Sequence, residues 1–154
     1  MANIFEPELE EASDRPEGWR WRYDRLGPKI GAEKLGATVY ELPPGARSFP
    51  YHYEYPEEEW LICLVGRPTL RTPDGERQLD PGEVVCFPTG PTGAHQVRND
   101  TSEPVRVLIL STMSYPAVAV YPDSGKILVV PEPGGEGRAM FRQDDGVDYW
   151  EGEA

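Results

Sequence analysis

The sequence predicts an all-β protein, a sandwich or barrel of short antiparallel strands, and three observations carry that prediction. Seventeen prolines and sixteen glycines interrupt the 154 residues so often that no amphipathic helix of three turns fits between them. Short apolar runs recur instead. They are separated by PPG, GRP, PDG, DPG, PTGPTG and NDTSEP, which supply the fixed and positive φ angles of tight turns.

Taken in order, the chain is acidic and without periodicity up to about residue 16. GWRWRYDRLG then alternates aromatic residues with arginine, as a strand with two unlike faces does, and residues 31–36 read as a connector. Strands are expected at 37–42, 59–65, 69–72, 76–79, 83–87, 95–98 and 105–111. Seven strands over this stretch leave no room for the helices of a βα repeat. Asp74-Gly75 marks a hairpin. Residues 117–121 and 126–130 read as a last hairpin around Pro122-Asp123-Ser124-Gly125, and beyond Pro131 a glycine-rich loop leads to an aromatic, acidic tail. No repeat or second domain is visible, so the expected organisation is an acidic N-terminal segment (1–17), a β domain (18–131) and an acidic tail (132–154) packing on or beside it.

The formal net charge of −12 argues against a nucleic-acid partner, whose phosphates need a basic footprint. Most of that charge is terminal. Residues 1–17 carry six acids against Arg15, residues 132–154 carry seven against Arg138 and Arg142, and the 18–131 stretch has 14 acids and 12 bases. The longest apolar run, residues 60–65, is far short of the roughly 20 residues of a membrane helix. The opening MANIFEPELEE has neither a basic nor an apolar region of the kind that begins a secretory signal. A soluble, cytoplasmic protein is expected. Cys63 and Cys86 lie inside apolar runs without metal-site spacing, so both are expected as buried, reduced thiols.

The chain has two histidines, each beside a cluster of glycine, proline or glutamate. In an extended segment His52 and Glu54 project to one face and Tyr51, Tyr53 and Tyr55 to the other. A turn at Tyr55-Pro56-Glu57 would return Glu59 beside them, while Glu58 would face outward. A second cluster, Gly82 through Pro88-Thr89-Gly90 to His95 and Asn99, can bring another imidazole to the same cavity. The tyrosine face is expected to pack on a partner subunit or on the N-terminal arm.

These two clusters, GARSFPYHYEYPEEEWLICLVG and GEVVCFPTGPTGAHQVRN, resemble the two motifs of the cupin superfamily, G-x5-H-x-H-x(3,4)-E-x6-G and G-x5-P-x-G-x2-H-x3-N. The resemblance covers residues 45–99 and includes three departures. Six residues rather than five separate Gly45 from His52, and four rather than two separate Gly90 from His95. Glu54 stands where the family has its second histidine.

The resemblance implies a double-stranded β-helix, or jelly roll, and a metal held by His52, His95, Glu59 and, if it turns inward, Glu54. Two imidazoles and two carboxylates would neutralise a divalent ion and favour Mn(II), Fe(II) or Zn(II). Glu54 or Glu59 is the candidate proton carrier, and Arg47, Cys63 and Arg98 are candidates for the substrate pocket. Cys63 is read as wall rather than nucleophile. Implied chemistries are dioxygenase, isomerase or decarboxylase action on a small polar molecule, with a non-catalytic ligand-binding module as the alternative. Many small cupins are dimers, and residues 19–25 are the candidate arm for a homodimer.

Overall fold

The computed structural model describes residues 2–12 and 14–153. The first strands are β1 (Glu10–Glu11), β2 (Arg22–Arg25), β3 (Leu35–Leu42) and β4 (Tyr53–Tyr55), with helix α1 (Leu26–Ile30) between β2 and β3. There follow β5 (Glu59–Val65), β6 (Thr69–Thr72), β7 (Gly75–Gln78), β8 (Val84–Phe87) and β9 (Gln96–Arg98). The last are β10 (Val105–Thr112), β11 (Ala117–Tyr121), β12 (Lys126–Val130) and β13 (Ala139–Arg142). They form a six-stranded sheet in the order β1-β2-β3-β10-β5-β8, a four-stranded sheet β13-β12-β11-β4 and a three-stranded sheet β7-β6-β9. All pairings are antiparallel.

The six-stranded sheet has two apolar faces, and the period of two explains why. On β5, Leu61 and Cys63 point into the main core with Leu42, Phe87, Val97, Val105 and Val107. The intervening Ile62 and Leu64 meet Val39, Leu108 and Leu26 of α1 on the opposite face. Burying a side chain such as Leu61 contributes about 1.5–3 kcal/mol. Its position on a strand paired on both sides, with β10 and β8, fixes β5, and therefore Glu59 at the start of that strand, relative to the core.

Glu41 ties the outer face together. Its carboxylate is buried and pairs with Arg22 and, at 2.6 Å, with Arg106. These residues belong to three adjacent strands, so the charge cluster crosses the sheet.

Several local features differ from expectation. Helix α1, which the sequence reading did not place, begins LGP, and proline is tolerated in a first helical turn because its missing N–H has no partner there. Gly31, at φ 76°, ends the helix by donating to the Gly27 and Pro28 carbonyls. The flanking segments also contribute strands: Glu10 and Glu11 extend the large sheet and β13 extends the four-stranded one. Residues 22–25 pair with β1 and β3 of the same chain. Cys86 is exposed, correcting the expectation of two buried thiols, because it shares the parity of outward Val84 while Val85 and Phe87 face the core. No helix among the described residues is long and apolar enough to cross a membrane.

Candidate metal centre

The two histidine-bearing segments are joined by their own backbones. His52 and His95 form an isolated antiparallel bridge, with His52 N–H donating to the His95 carbonyl at 3.1 Å and His95 N–H to the His52 carbonyl at 2.8 Å. Residues directly opposite one another in an antiparallel pair project to the same face, so this bridge delivers both imidazoles to one cavity. Glu54 follows on β4, and Glu59 opens β5 opposite Phe87.

The two extra residues before His95 are accommodated by a short 3-10 turn, Pro91–Gly93. Gly90 anchors the turn by donating to the Glu54 carbonyl at 2.8 Å. A Cβ on Gly93 would overlap the Pro88 carbonyl, so the turn closes this tightly only with glycine.

Each ring nitrogen Nδ1 lies against a backbone carbonyl, Pro50 O at 2.8 Å for His52 and Gly93 O at 2.9 Å for His95. A carbonyl only accepts, so Nδ1 carries the proton and Nε2 presents its lone pair to the cavity. The His95 Nε2 is 3.3 Å from Glu59 Oε2, and the His52 Nε2 is 4.0 Å from Glu54 Oε1. Ligand atoms of His52, Glu59 and His95 all lie within 4.8 Å of one another. Phe87 holds the His95 ring from behind, stacked at 3.7 Å and 5°, and Tyr121 stacks on His52 at 5.8 Å and 21°.

The cavity in front of these groups has a volume of about 230 Å³, with Tyr40, Phe49, Ile109 and Tyr121 as its other walls. At roughly 30 Å³ per water molecule it has room for about seven waters. Its contents are therefore small.

Burial dominates the electrostatics. It pushes the Glu59 carboxyl up to about 7, with Glu57 adding repulsion. Burial also raises Glu54 to about 10, reinforced by the neighbouring Glu57 carboxyl and by the charge of Glu59. His95 is depressed to about 3 by burial and by His52, and His52 is lowered by burial. Without a cation the site thus favours neutral imidazoles and a protonated Glu54, with Glu59 near its midpoint at neutral pH.

A divalent ion fits this donor set. Two lone pairs and a carboxylate converge, and Glu54 Oε2 is a buried oxygen with no hydrogen-bond partner among the described residues. An ion there would supply the positive charge that the paired carboxylates lack, reversing the penalty that raises their pKa values.

A family model described as a cupin domain matches residues 38–111, the stretch that holds both histidines and both glutamates. Residues 38–111 are a cupin domain. Among solved structures, this cupin is similar to a provisionally assigned sugar phosphate isomerase from Acidithiobacillus ferrooxidans, at 26% identity and a TM-score of 0.82 over 94% of this chain and 91% of that one. It is similar also to a sugar phosphate isomerase of the cupin superfamily from Silicibacter pomeroyi, at 25% identity and a TM-score of 0.81 over 98% of each chain. A polyketide cyclase from Streptomyces resistomycificus shares the fold, at 21% identity and a TM-score of 0.62 over 76% of this chain and 82% of that one. No curated protein matches the sequence.

The cupin places the other expected pocket residues elsewhere. Cys63 is buried in the main core with its thiol near the Gly66 carbonyl at 3.5 Å, and burial pushes that thiol up to about 11, as befits packing rather than nucleophilic attack. Arg47 and Arg98 do not line the metal cavity; they line a separate cleft. Strand parity explains Arg98. His95 and Val97 face inward, so Gln96 and Arg98 face out. Tyr51 likewise turns away from His52 and is buried within the chain, with the Arg71 guanidinium 3.9 Å from the centre of its ring. Asn99 is fully buried, donating to the Leu42 and Glu103 carbonyls and accepting from Thr101, so its motif position serves the turn and not the ion.

Sequence reasoning did not name Tyr40, Phe49, Phe87 or Tyr121 as site residues. Phe87 was accessible, since it shares the inward parity of β8 and faces Glu59 across the sheet. Tyr121 was not, because it reaches His52 only through the pairing of β11 with β4.

Proposed function

We propose that this cupin is a metal-dependent enzyme that moves a proton within a small hydroxycarbonyl compound, an isomerase-type reaction. The observation that carries the reading is the unpartnered Glu54 Oε2, buried beside a three-donor group that can hold an ion. His52, Glu59 and His95 would hold Mn(II), Fe(II) or Zn(II), with Glu54 either completing the shell or standing free at its edge. The ion supplies Lewis-acid polarisation of a substrate oxygen when bound.

The protein's own groups account for the rest. Glu54 takes a proton from the carbon next to a carbonyl and returns it to the neighbouring carbon, the hydroxyl proton passing to the former carbonyl oxygen, so that no oxidant or co-reactant is consumed. The aromatic walls exclude water, and the cavity volume limits the reacting part of the substrate to a few carbon atoms. The two similar chains described as sugar phosphate isomerases support proton transfer over dioxygen chemistry.

The test is hydrogen–deuterium exchange at carbon, followed by NMR, when metal-loaded protein is incubated in deuterated water with small hydroxyaldehydes and hydroxyketones. Exchange is expected with wild type and not with Glu54→Gln, while metal content shows whether the ion persists in the variant. Metal-loaded wild type that exchanges none of these compounds contradicts the proposal.

A further inference from the structure

We propose that the cleft lined by Arg47 and Lys126, outside the metal cavity, is a second binding site for a small oxyanion, a phosphate monoester or a carboxylate. The cleft has a volume of about 580 Å³, against about 230 Å³ for the metal cavity. It lies where the three-stranded sheet meets β12 and the Gly45–Arg47 loop, and none of its lining residues is shared with the metal cavity.

Its charge departs from the rest of the chain. Four cations, Arg47, Arg71, Arg98 and Lys126, face three acids, Glu76, Asp100 and Asp123, in a protein whose formal net charge is −12. Arg71 is engaged through both terminal nitrogens with Asp123, at 2.6 and 2.9 Å. Arg98 is engaged in the same manner with Glu76, at 2.5 and 2.6 Å, and its Nε reaches Asp100 at 2.7 Å. These pairs satisfy the three acids. Arg47 and Lys126 remain, and among the described residues neither has a carboxylate within 4.0 Å.

Both free cations are held in place by other means. Arg47 bridges to Arg98 through its backbone, donates its N–H to the Gly18 carbonyl at 2.8 Å and rests its guanidinium 5.6 Å from the centre of the Trp19 ring. Lys126 stands opposite Tyr121 in the β11–β12 register, with its ammonium 5.7 Å from that ring. The floor is ordered too, because Tyr51 is buried and Gln96 is fixed by donating to the Phe49 carbonyl at 2.8 Å. A guanidinium and an ammonium with no directly paired carboxylate among the described residues, positioned over a rigid polar floor, suit an oxyanion that accepts several hydrogen bonds at once. The aromatic edge at Trp19 adds apolar surface for the organic part of such a ligand.

The experiment is a titration of the full-length protein with phenyl phosphate, benzoate and inorganic phosphate at constant ionic strength, followed by amide NMR shifts. Saturable binding is expected for at least one of the three, with shifts at Arg47, Gln96 and Lys126 and none at Arg67, which pairs with Asp80 outside the cleft. Arg47→Gln and Lys126→Gln should each weaken binding about tenfold, the loss of one charge-assisted hydrogen bond. Arg67→Gln and His52→Ala should bind as wild type does. The tighter of phenyl phosphate and benzoate identifies which oxyanion the site prefers. Non-saturating shifts for all three ligands overturn the proposal, as does equal weakening in Arg67→Gln. So does binding that is lost in His52→Ala but kept in both cleft variants, since the anion would then sit at the metal cavity.

Discussion

The two sides of one short ladder have opposite physical characters. On the inner side, His52 and His95 face the metal cavity and Val97 the core, and burial there moves pKa values far from their ordinary range. On the outer side, Tyr51, Gln96 and Arg98 face an open cleft whose acids are held below their ordinary values by paired arginines. For Glu76 and Asp123 the leading cause is a hydrogen bond from Arg98 or Arg71, whereas for Glu54 and Glu59 it is burial. A period of two in the backbone is enough to separate the two chemistries. The inner side is short of positive charge, whereas the outer side carries four cations against three acids.

Perturbations should therefore have larger effects on the inner side. The largest is expected for His95→Ala or His52→Ala, which should lower metal affinity at least about a hundredfold, read by competition with a chelating dye. Gly93→Ala comes next. The new methyl group meets the Pro88 carbonyl, so thermal or denaturant unfolding should show a loss of about 2–3 kcal/mol, and displacement of His95 should weaken metal binding as well.

Glu41→Gln probes a buried charge away from both sites and should cost about 1–2 kcal/mol near neutral pH. Burial raises the Glu41 pKa, but hydrogen bonds from Arg106 and Arg22 outweigh it and hold the carboxyl below its ordinary value. A folded pKa below the unfolded one stabilises the protein above the ordinary value of 4.5. The gap between wild type and variant should be complete above that pH and close as pH falls through the lower folded-state value. The smallest effect is expected for Arg67→Ala, whose partner Asp80 is mostly exposed; unfolding should change by less than about 1 kcal/mol. An Arg67 effect as large as that of Gly93 would break the contrast between buried and exposed contacts.

Much of the fold was legible because strand bounds follow local pattern. The expected strands at 59–65, 69–72, 117–121 and 126–130 coincide with β5, β6, β11 and β12, and the spacing of Glu59 and the histidines located the three-residue group. What was not legible depends on contacts distant in sequence. The pairing of β4 with β11, which puts Tyr121 on His52, has no local signal, and neither does the recruitment of residues 139–142 as β13. Arg98 was a different failure. Its outward direction follows from the same alternation that turned His95 inward, and proximity in sequence was a poor guide to which face it served.

The central claim is that His52, His95 and Glu59 hold a divalent transition metal, and metal analysis joined to X-ray absorption of the loaded protein tests it most directly. The account predicts one metal ion per chain bound by nitrogen and oxygen donors, with two imidazoles in the shell, and its loss from both histidine variants. Metal-free protein after supplementation, or a metal retained when both histidines are replaced, would contradict it.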